Sequence, residues 1–108
     1  MKNIIIYVLL AVLFVSANTQ KRVDVLHFNY KWNDKNSYDL RGIKYANVKY
    51  VWVEEQPKSI QNSIQSVPVI AIIGRDGKVK YQFTAGLSFK IKATKEEIQK
   101  EVNKIYLD

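Results

Sequence analysis

Apolar residues recur along the chain after residue 20 in patterns that predict four strands. Short runs rich in β-branched residues lie at Val23–Phe28 and Val67–Ile73, and the second predicts a buried strand that begins at Pro68. Apolar and polar residues alternate at Val48–Glu54 and Lys78–Thr84. This alternation predicts two more strands, because successive side chains of a strand point to opposite faces.

Helical spacing of apolar residues predicts three helices. One begins at Thr94, which forms a capping-box pattern with Glu97. A second, through Ser59–Gln65, follows Pro57, a residue suited to the start of a helix. The apolar stripe of the helix that begins at Thr94 consists of Ile98, Val102, Ile105 and Tyr106. A short third helix is predicted from Tyr38, Leu40, Ile43 and Tyr45.

The connections complete a single predicted α/β domain. The polar stretch Asn29–Ser37 reads as a loop, and Asp76–Gly77 supplies a turn before Lys78–Thr84, making a hairpin. In that last strand Val79, Tyr81 and Phe83 are expected on one face. The order strand, helix, strand, helix, strand, strand, helix predicts a central mixed sheet flanked by helices.

The N-terminal segment has the layout of a signal peptide. Ile4–Val15 is a run of twelve residues without a charge, after Lys2 and before a small, polar stretch. A membrane-spanning helix needs about 20 apolar residues, so cleavage after Ala17 is favoured. Residues 1–20 are predicted to be a signal peptide or a membrane tether, with the domain at 21–108. A buried N-terminal helix or strand is the alternative.

Composition excludes several kinds of chemistry. The chain has no cysteine, so it cannot carry out thiol–disulfide exchange or ligate metal through sulfur. His27 is the only histidine, and no carboxylates cluster near it at metal-ligand spacing, so neither a metal nor another cofactor is predicted. The net charge of +7 would favour acidic partners or anionic membranes, but a solvated basic surface without a dedicated partner is the favoured interpretation. The lysines are dispersed without a nucleic-acid-binding motif, which argues against nucleic acid as a partner.

Several motifs occur in the order found in thioredoxins. Trp32 follows the first strand, Val67–Pro68 precedes the third, and Gly86 precedes the last helix. Residues 23–107 therefore resemble the thioredoxin-like family. The redox members carry two cysteines where this chain has Asn33 and Asn36. The resemblance thus implies the fold without the redox chemistry.

The same resemblance implies a site for binding another protein. In the family, the loop before the proline offers backbone hydrogen bonds to an extended segment of the partner. Trp32 would lie beside that loop as an aromatic platform. Three alternatives stay open: Pro68 as a structural turn, Trp32 as a core residue, and the polar loop residues as helix caps. The predicted partner-binding residues are Tyr30, Trp32, Asn33, Asp34, Asn36, Ser66, Val67 and Pro68.

Three functions follow as hypotheses. The first is a redox-inactive, thioredoxin-like protein-binding module, not an enzyme, which is exported to the periplasm or secreted, or tethered to a membrane through its leader. The second is a structural subunit of an envelope or phage virion assembly. The third is an enzyme centred on His27, although the sequence pairs no nucleophile with it; the alternative role for this residue is a hydrogen-bonded core histidine.

Overall fold

A computed structural model describes residues 23–107 of the chain; the predicted leader lies outside the described residues. Within them, four strands form one mixed sheet in the order β2-β1-β3-β4. β1 pairs in parallel with β2 and antiparallel with β3, and β3 pairs antiparallel with β4. The strands are β1 (Val23–Asn29), β2 (Ala46–Trp52), β3 (Val69–Ile73) and β4 (Val79–Thr84).

Two α-helices and three short 3-10 helices join these strands in the described part of the chain. The α-helices are α1 (Lys58–Ser63) and α2 (Lys95–Tyr106), and the 3-10 helices are Lys31–Asn36, Val53–Glu55 and Gly86–Ser88. The predicted mixed α/β class is therefore confirmed. Among residues 23–107, no helix has the length and apolar character needed to cross a membrane.

The central strand β1 supports both layers of the core. All seven of its residues are buried, and alternate side chains enter opposite apolar clusters. Leu26 and Phe28 pack in the cluster that contains Ile60 of α1. Val23 and Val25 pack in the cluster that contains Ile98 and Val102 of α2. One α-helix therefore covers each face of the sheet.

The helix predicted from Tyr38 to Tyr45 is wrong, because the segment is irregular. Side chains take its backbone donors: the Tyr38 N–H donates to His27 Nε2 at 2.9 Å, and the Leu40 N–H donates to the Tyr50 hydroxyl at 3.0 Å. Gly42 and Tyr45 have φ values of +91° and +67°, outside the right-handed helical region. Buried Leu40, which suggested a helical stripe, packs from a loop instead.

The prediction that Val79 lies on the same face of β4 as Tyr81 and Phe83 is also wrong. An irregularity in the β3–β4 register pairs Ile73 with Val79 but the preceding Ile72 with Tyr81. This bulge moves Val79 to the opposite side of the sheet, since one extra residue reverses the alternation. Val79 consequently packs against the α1-side cluster, whereas Phe83 packs against the α2-side cluster.

Element boundaries shift by one or two residues elsewhere. β2 ends at Trp52, and Val53–Glu55, whose first two residues had been assigned to the strand, forms a 3-10 helix. β3 begins at Val69, immediately after Pro68. The loop predicted at Asn29–Ser37 contains the 3-10 helix Lys31–Asn36, which the sequence pattern did not predict.

The start of α2 agrees with the capping box predicted from the sequence. The Glu97 N–H donates to Thr94 Oγ1 at 3.1 Å, and the Thr94 N–H donates to Glu97 Oε1 at 2.7 Å. Two backbone donors that the helix cannot pair internally are thereby satisfied. Ile98 and Val102 are buried, as the apolar stripe predicted.

Replacement of the cap tests this helix start. We expect Thr94→Ala to lower the free energy of unfolding by about 1 kcal/mol, because the Glu97 N–H loses its acceptor. Thr94→Ser keeps the hydroxyl and should lose much less. Urea denaturation of the two variants measures the difference, and equal losses would contradict a role for the hydroxyl.

Candidate functional site

The sheet brings three separate stretches of the chain to one end. Phe28, near the end of β1, lies opposite Val69 at the start of β3, which lies opposite Thr84 at the end of β4. The chain therefore leaves β1, enters β3 and leaves β4 at the same end of the sheet. These connections contain residues 30–37, 66–68 and 85–90, which include every residue predicted to bind a partner.

Asn33 joins two of these connections through its buried amide. Its side chain donates from Nδ2 to Asn29 Oδ1 at 3.1 Å and to the Phe89 carbonyl at 3.2 Å. Its Oδ1 accepts from Asn36 Nδ2 at 2.7 Å. Asn33 is only 2% exposed, so these bonds replace those that water would otherwise supply. The residue positions the loops instead of presenting its side chain to a partner.

Asn29, the last residue of β1, fixes both ends of the Lys31–Asn36 helix. Its Oδ1 accepts from the Tyr30 N–H at 2.9 Å, and its Nδ2 donates to the Asn33 carbonyl and to Ser37 Oγ, each at 3.0 Å. Sequence reasoning did not select Asn29. The available signal was an amide side chain at the end of a predicted strand, which is buried in the fold.

The start of the same helix is attached to the end of β2. The Lys31 N–H lies 3.1 Å from both carboxylate oxygens of Glu54, and Lys31 Nζ lies 2.9 Å from Glu55 Oε2. The Glu55 carboxylate raises the pKa of Lys31 through a hydrogen bond. Because both groups of the ion pair are exposed, water and salt screen it, and it orients the loop more than it stabilises the fold.

Three aromatic rings then form a continuous patch, which we call the aromatic surface: Tyr30, Trp32 and Phe89. The Tyr30 and Trp32 rings stack with centroids 6.1 Å apart, and the Phe89 ring meets Trp32 edge-on at 5.4 Å. Trp32 is nevertheless 63% exposed and Phe89 41% exposed. A large apolar ring that is held in place but left open to water is a feature of recognition surfaces.

Sequence reasoning missed Phe89 and its neighbour Leu87, which is 98% exposed. Both belong to the stretch read only as a connection before α2. Phe89 adopts a left-handed φ of +58°, and it follows Gly86, whose φ is +69°. The signal that could have identified them was the presence of large apolar residues in a stretch predicted to be a connection.

The predicted partner-binding residues divide by exposure. Trp32 and Asp34 are exposed, and Asp34 Oδ1 accepts from Ser37 Oγ at 3.3 Å. Three are partly buried: Tyr30, Asn36 and Ser66. Three are buried: Asn33, Val67 and Pro68.

The Pro68 connection supports the aromatic surface from below. Val67 and Pro68 are joined by a cis peptide bond, and Val67 is 2% exposed. Val67 belongs to the apolar cluster against which Tyr30 packs. The structure thus brings the two predicted loops together, with the aromatic rings outside and the proline loop inside.

His27 is a buried, hydrogen-bonded residue of the core. It is 1% exposed, its Nε2 accepts from the Tyr38 N–H at 2.9 Å, and its ring lies 4.9 Å from the Tyr50 ring. Burial lowers its pKa, and a backbone hydrogen bond and the Asp34 charge oppose that shift only in part. The Nε2 lone pair that a general base would use is therefore occupied by the backbone.

His27 also borders a cavity of about 320 Å³ shared with Ser37 and Tyr38. The Ser37 hydroxyl is engaged by Asn29 and Asp34, so it is not aligned as a nucleophile on the imidazole. In residues 23–107, no group of three or more histidine, cysteine or acidic side chains could hold a metal ion.

The Asn33 amide makes a testable contribution to stability. We expect Asn33→Ala to reduce the free energy of unfolding by about 2 kcal/mol, because it removes a partner from the buried side-chain oxygen of Asn29, the partly buried Phe89 carbonyl and the Asn36 amide. Asn36→Ala removes one partly exposed bond and should cost about 1 kcal/mol or less. Urea denaturation compares them, and equal losses would contradict the central position of Asn33.

The lowered pKa of His27 predicts a pH-dependent stability. Below pH 6.5, the usual pKa of a histidine, His27 binds a proton in the unfolded chain more readily than in the folded chain. The free energy of unfolding should therefore fall from about pH 7 to pH 5, by at most about 1.4 kcal/mol per pH unit, and this residue should contribute no slope above pH 7.5.

His27→Gln is the matched control, because it retains an acceptor for the Tyr38 N–H without titrating. Chemical denaturation at a series of pH values should show a smaller slope between pH 5 and pH 7 in this variant. Parallel curves for the two proteins would show that His27 titrates normally.

The function of this chain has to be inferred from the geometry of the site. No protein-family model matches the chain, and no curated protein matches it. The exposed aromatic surface, fixed by the buried asparagine amides, is the feature of the described residues from which a function follows.

Proposed function

We propose that this chain is a redox-inactive, thioredoxin-like module, exported or membrane-tethered, that binds another protein through its aromatic surface. The observation that carries the proposal is the state of Trp32. Its ring is 63% exposed, yet it is held between Tyr30 and Phe89. Core packing, the alternative role for this tryptophan, would require a buried ring.

The sheet supports the thioredoxin-like part of the proposal. A parallel β1–β2 pair adjoins an antiparallel β3–β4 hairpin, and one α-helix packs on each face. Trp32 follows the first strand and Pro68 precedes the third, at the positions that the resemblance assigns to them. We take the strand order β2-β1-β3-β4 as support for a thioredoxin-like domain.

The absence of redox chemistry follows from the residues at the cysteine positions. Asn33 and Asn36 face each other through a 2.7 Å hydrogen bond from Nδ2 to Oδ1. An amide has no thiolate form and cannot attack a disulfide. These two side chains maintain the loop, so the function left to this end of the sheet is recognition.

A preformed aromatic patch is suited to that function. Tryptophan and other large rings contribute most of the binding energy at many protein interfaces, because they bury much apolar area at a small entropic cost. The Asn33 bonds order the Trp32 and Phe89 loops before any partner arrives, which lowers the entropy lost on binding. Since Val67 and Pro68 are buried, we assign the direct contact to the rings and a supporting role to the proline loop.

Capture of proteins from the native source by the immobilised full chain tests this surface. We expect Trp32→Ala to reduce the capture of its specific partner by at least about tenfold, as loss of an interface anchor does. Tyr81→Ala is the control, because Tyr81 is 42% exposed, lies on β4 and also packs on a neighbouring ring, that of Phe83. It should leave capture unchanged.

Circular dichroism must show that both variants are folded. Equal capture by the Trp32→Ala variant and the native chain would overturn the proposed surface. Recovery of the protein in stoichiometric amounts with envelope or virion proteins would favour the alternative of a structural subunit.

A further inference from the structure

A pocket with a basic rim adjoins the aromatic surface. It has a volume of about 340 Å³ and lies between the Lys31–Asn36 helix, the segment after Phe89, and the start of α2. We call it the basic pocket. Its lining consists of Lys35, Asn36, Ser37, Tyr38, Asp39, Lys90, Ile91 and Lys95.

The same two loops form the pocket and the aromatic surface. Lys35 lies three residues after Trp32 in one 3-10 helix, and Lys90 directly follows Phe89. The bond from Asn33 Nδ2 to the Phe89 carbonyl joins these loops at 3.2 Å. A bound chain that leaves the rings in this direction would therefore pass directly into the pocket.

Three lysines give the pocket its positive charge. Lys35 and Lys90 take part in none of the ion pairs of residues 23–107. Lys95 Nζ donates to the Arg41 carbonyl at 2.8 Å, and its positive charge also contributes to the lowered pKa of Asp39.

The one carboxylate in the lining is already paired. Arg41 donates to the two oxygens of Asp39 at 2.9 and 2.7 Å. This fork holds the pKa of Asp39 well below its usual range, so the carboxylate stays ionised and matched to its own arginine. Three cationic lysines therefore determine the electrostatic character of the pocket.

We propose that the partner segment is acidic: an extended stretch of protein that places an apolar side chain on Trp32 and Phe89 and its Asp or Glu side chains in the basic pocket. The inference rests on the proposed function and names the chemistry of its partner. Opposite charges in a partly enclosed site favour the correct partner and speed its encounter. Because the pocket adjoins the aromatic surface, which is the proposed site for a protein, we assign its complementary charge to the same protein segment.

Selection from a library of random twelve-residue peptides, displayed on phage and offered to the intact protein, tests the inference. We expect the selected peptides to combine a large apolar residue with an excess of Asp and Glu. The double variant Lys35→Gln, Lys90→Gln should bind the best of these peptides about tenfold more weakly, and added salt should remove most of that difference.

The control is Lys58→Gln, Lys100→Gln, which removes the same charge from exposed residues of α1 and α2, outside the pocket lining. It should bind the peptide as the native chain does. Equal weakening in both double variants would reduce the effect to net charge and overturn the acidic segment.

The remaining outcomes separate this inference from the function on which it rests. Peptides that need Trp32 but show no excess of acidic residues would overturn the inference and leave the binding surface intact. Selection of no peptide, or of peptides that bind Trp32→Ala equally well, would overturn the surface itself. Sedimentation with phosphatidylserine vesicles that depends on Lys35 and Lys90, without acidic peptides in the selection, would replace the protein segment with a membrane.

Discussion

A buried amide that bonds to a distant loop controls the shape of this end of the molecule. Asn33 donates to the Phe89 carbonyl across 56 positions of sequence, and it is held by Asn29 on the other side. The bond gives a partly buried carbonyl a partner within the protein, so the loops close where the amide can reach. The contact between the Trp32 and Phe89 rings follows from that closure.

The sheet provides the platform on which this closure occurs. β1 is buried along its whole length because it pairs with strands on both sides and carries an apolar cluster on each face. Its neighbour β3 runs the other way, and β4 reverses again, so three connections meet beyond Asn29. A rigid core thus supports loops that have few apolar contacts of their own.

The strands and the last helix could be predicted from periodicity because their side chains follow the geometry of the local backbone. The segment from Tyr38 to Tyr45 could not, since its backbone donors are satisfied by His27 and Tyr50, residues of other strands. The irregularity beside Val79 could not be predicted from the sequence either, because only the pairing of β4 with β3 defines it.

Some residues of the candidate site were selected from the sequence, and those that were missed depend on long-range contacts. Trp32 was selected through the resemblance to the thioredoxin-like family, in which a tryptophan follows the first strand. Phe89 was missed because its role depends on a hydrogen bond made by a residue far away in the sequence. Burial of Val67 and Pro68, and hence their supporting role, likewise depends on how the loops pack together.

The asparagine bridge between the Lys31–Asn36 helix and its surroundings has a consequence for the conditions under which the surface persists. A pair of thiols at those two positions would change the loop whenever the compartment became oxidising or reducing. Amide groups neither exchange electrons nor gain or lose protons in the physiological range. The geometry that Asn33 and Asn36 impose is therefore independent of whether the surroundings are reducing or oxidising.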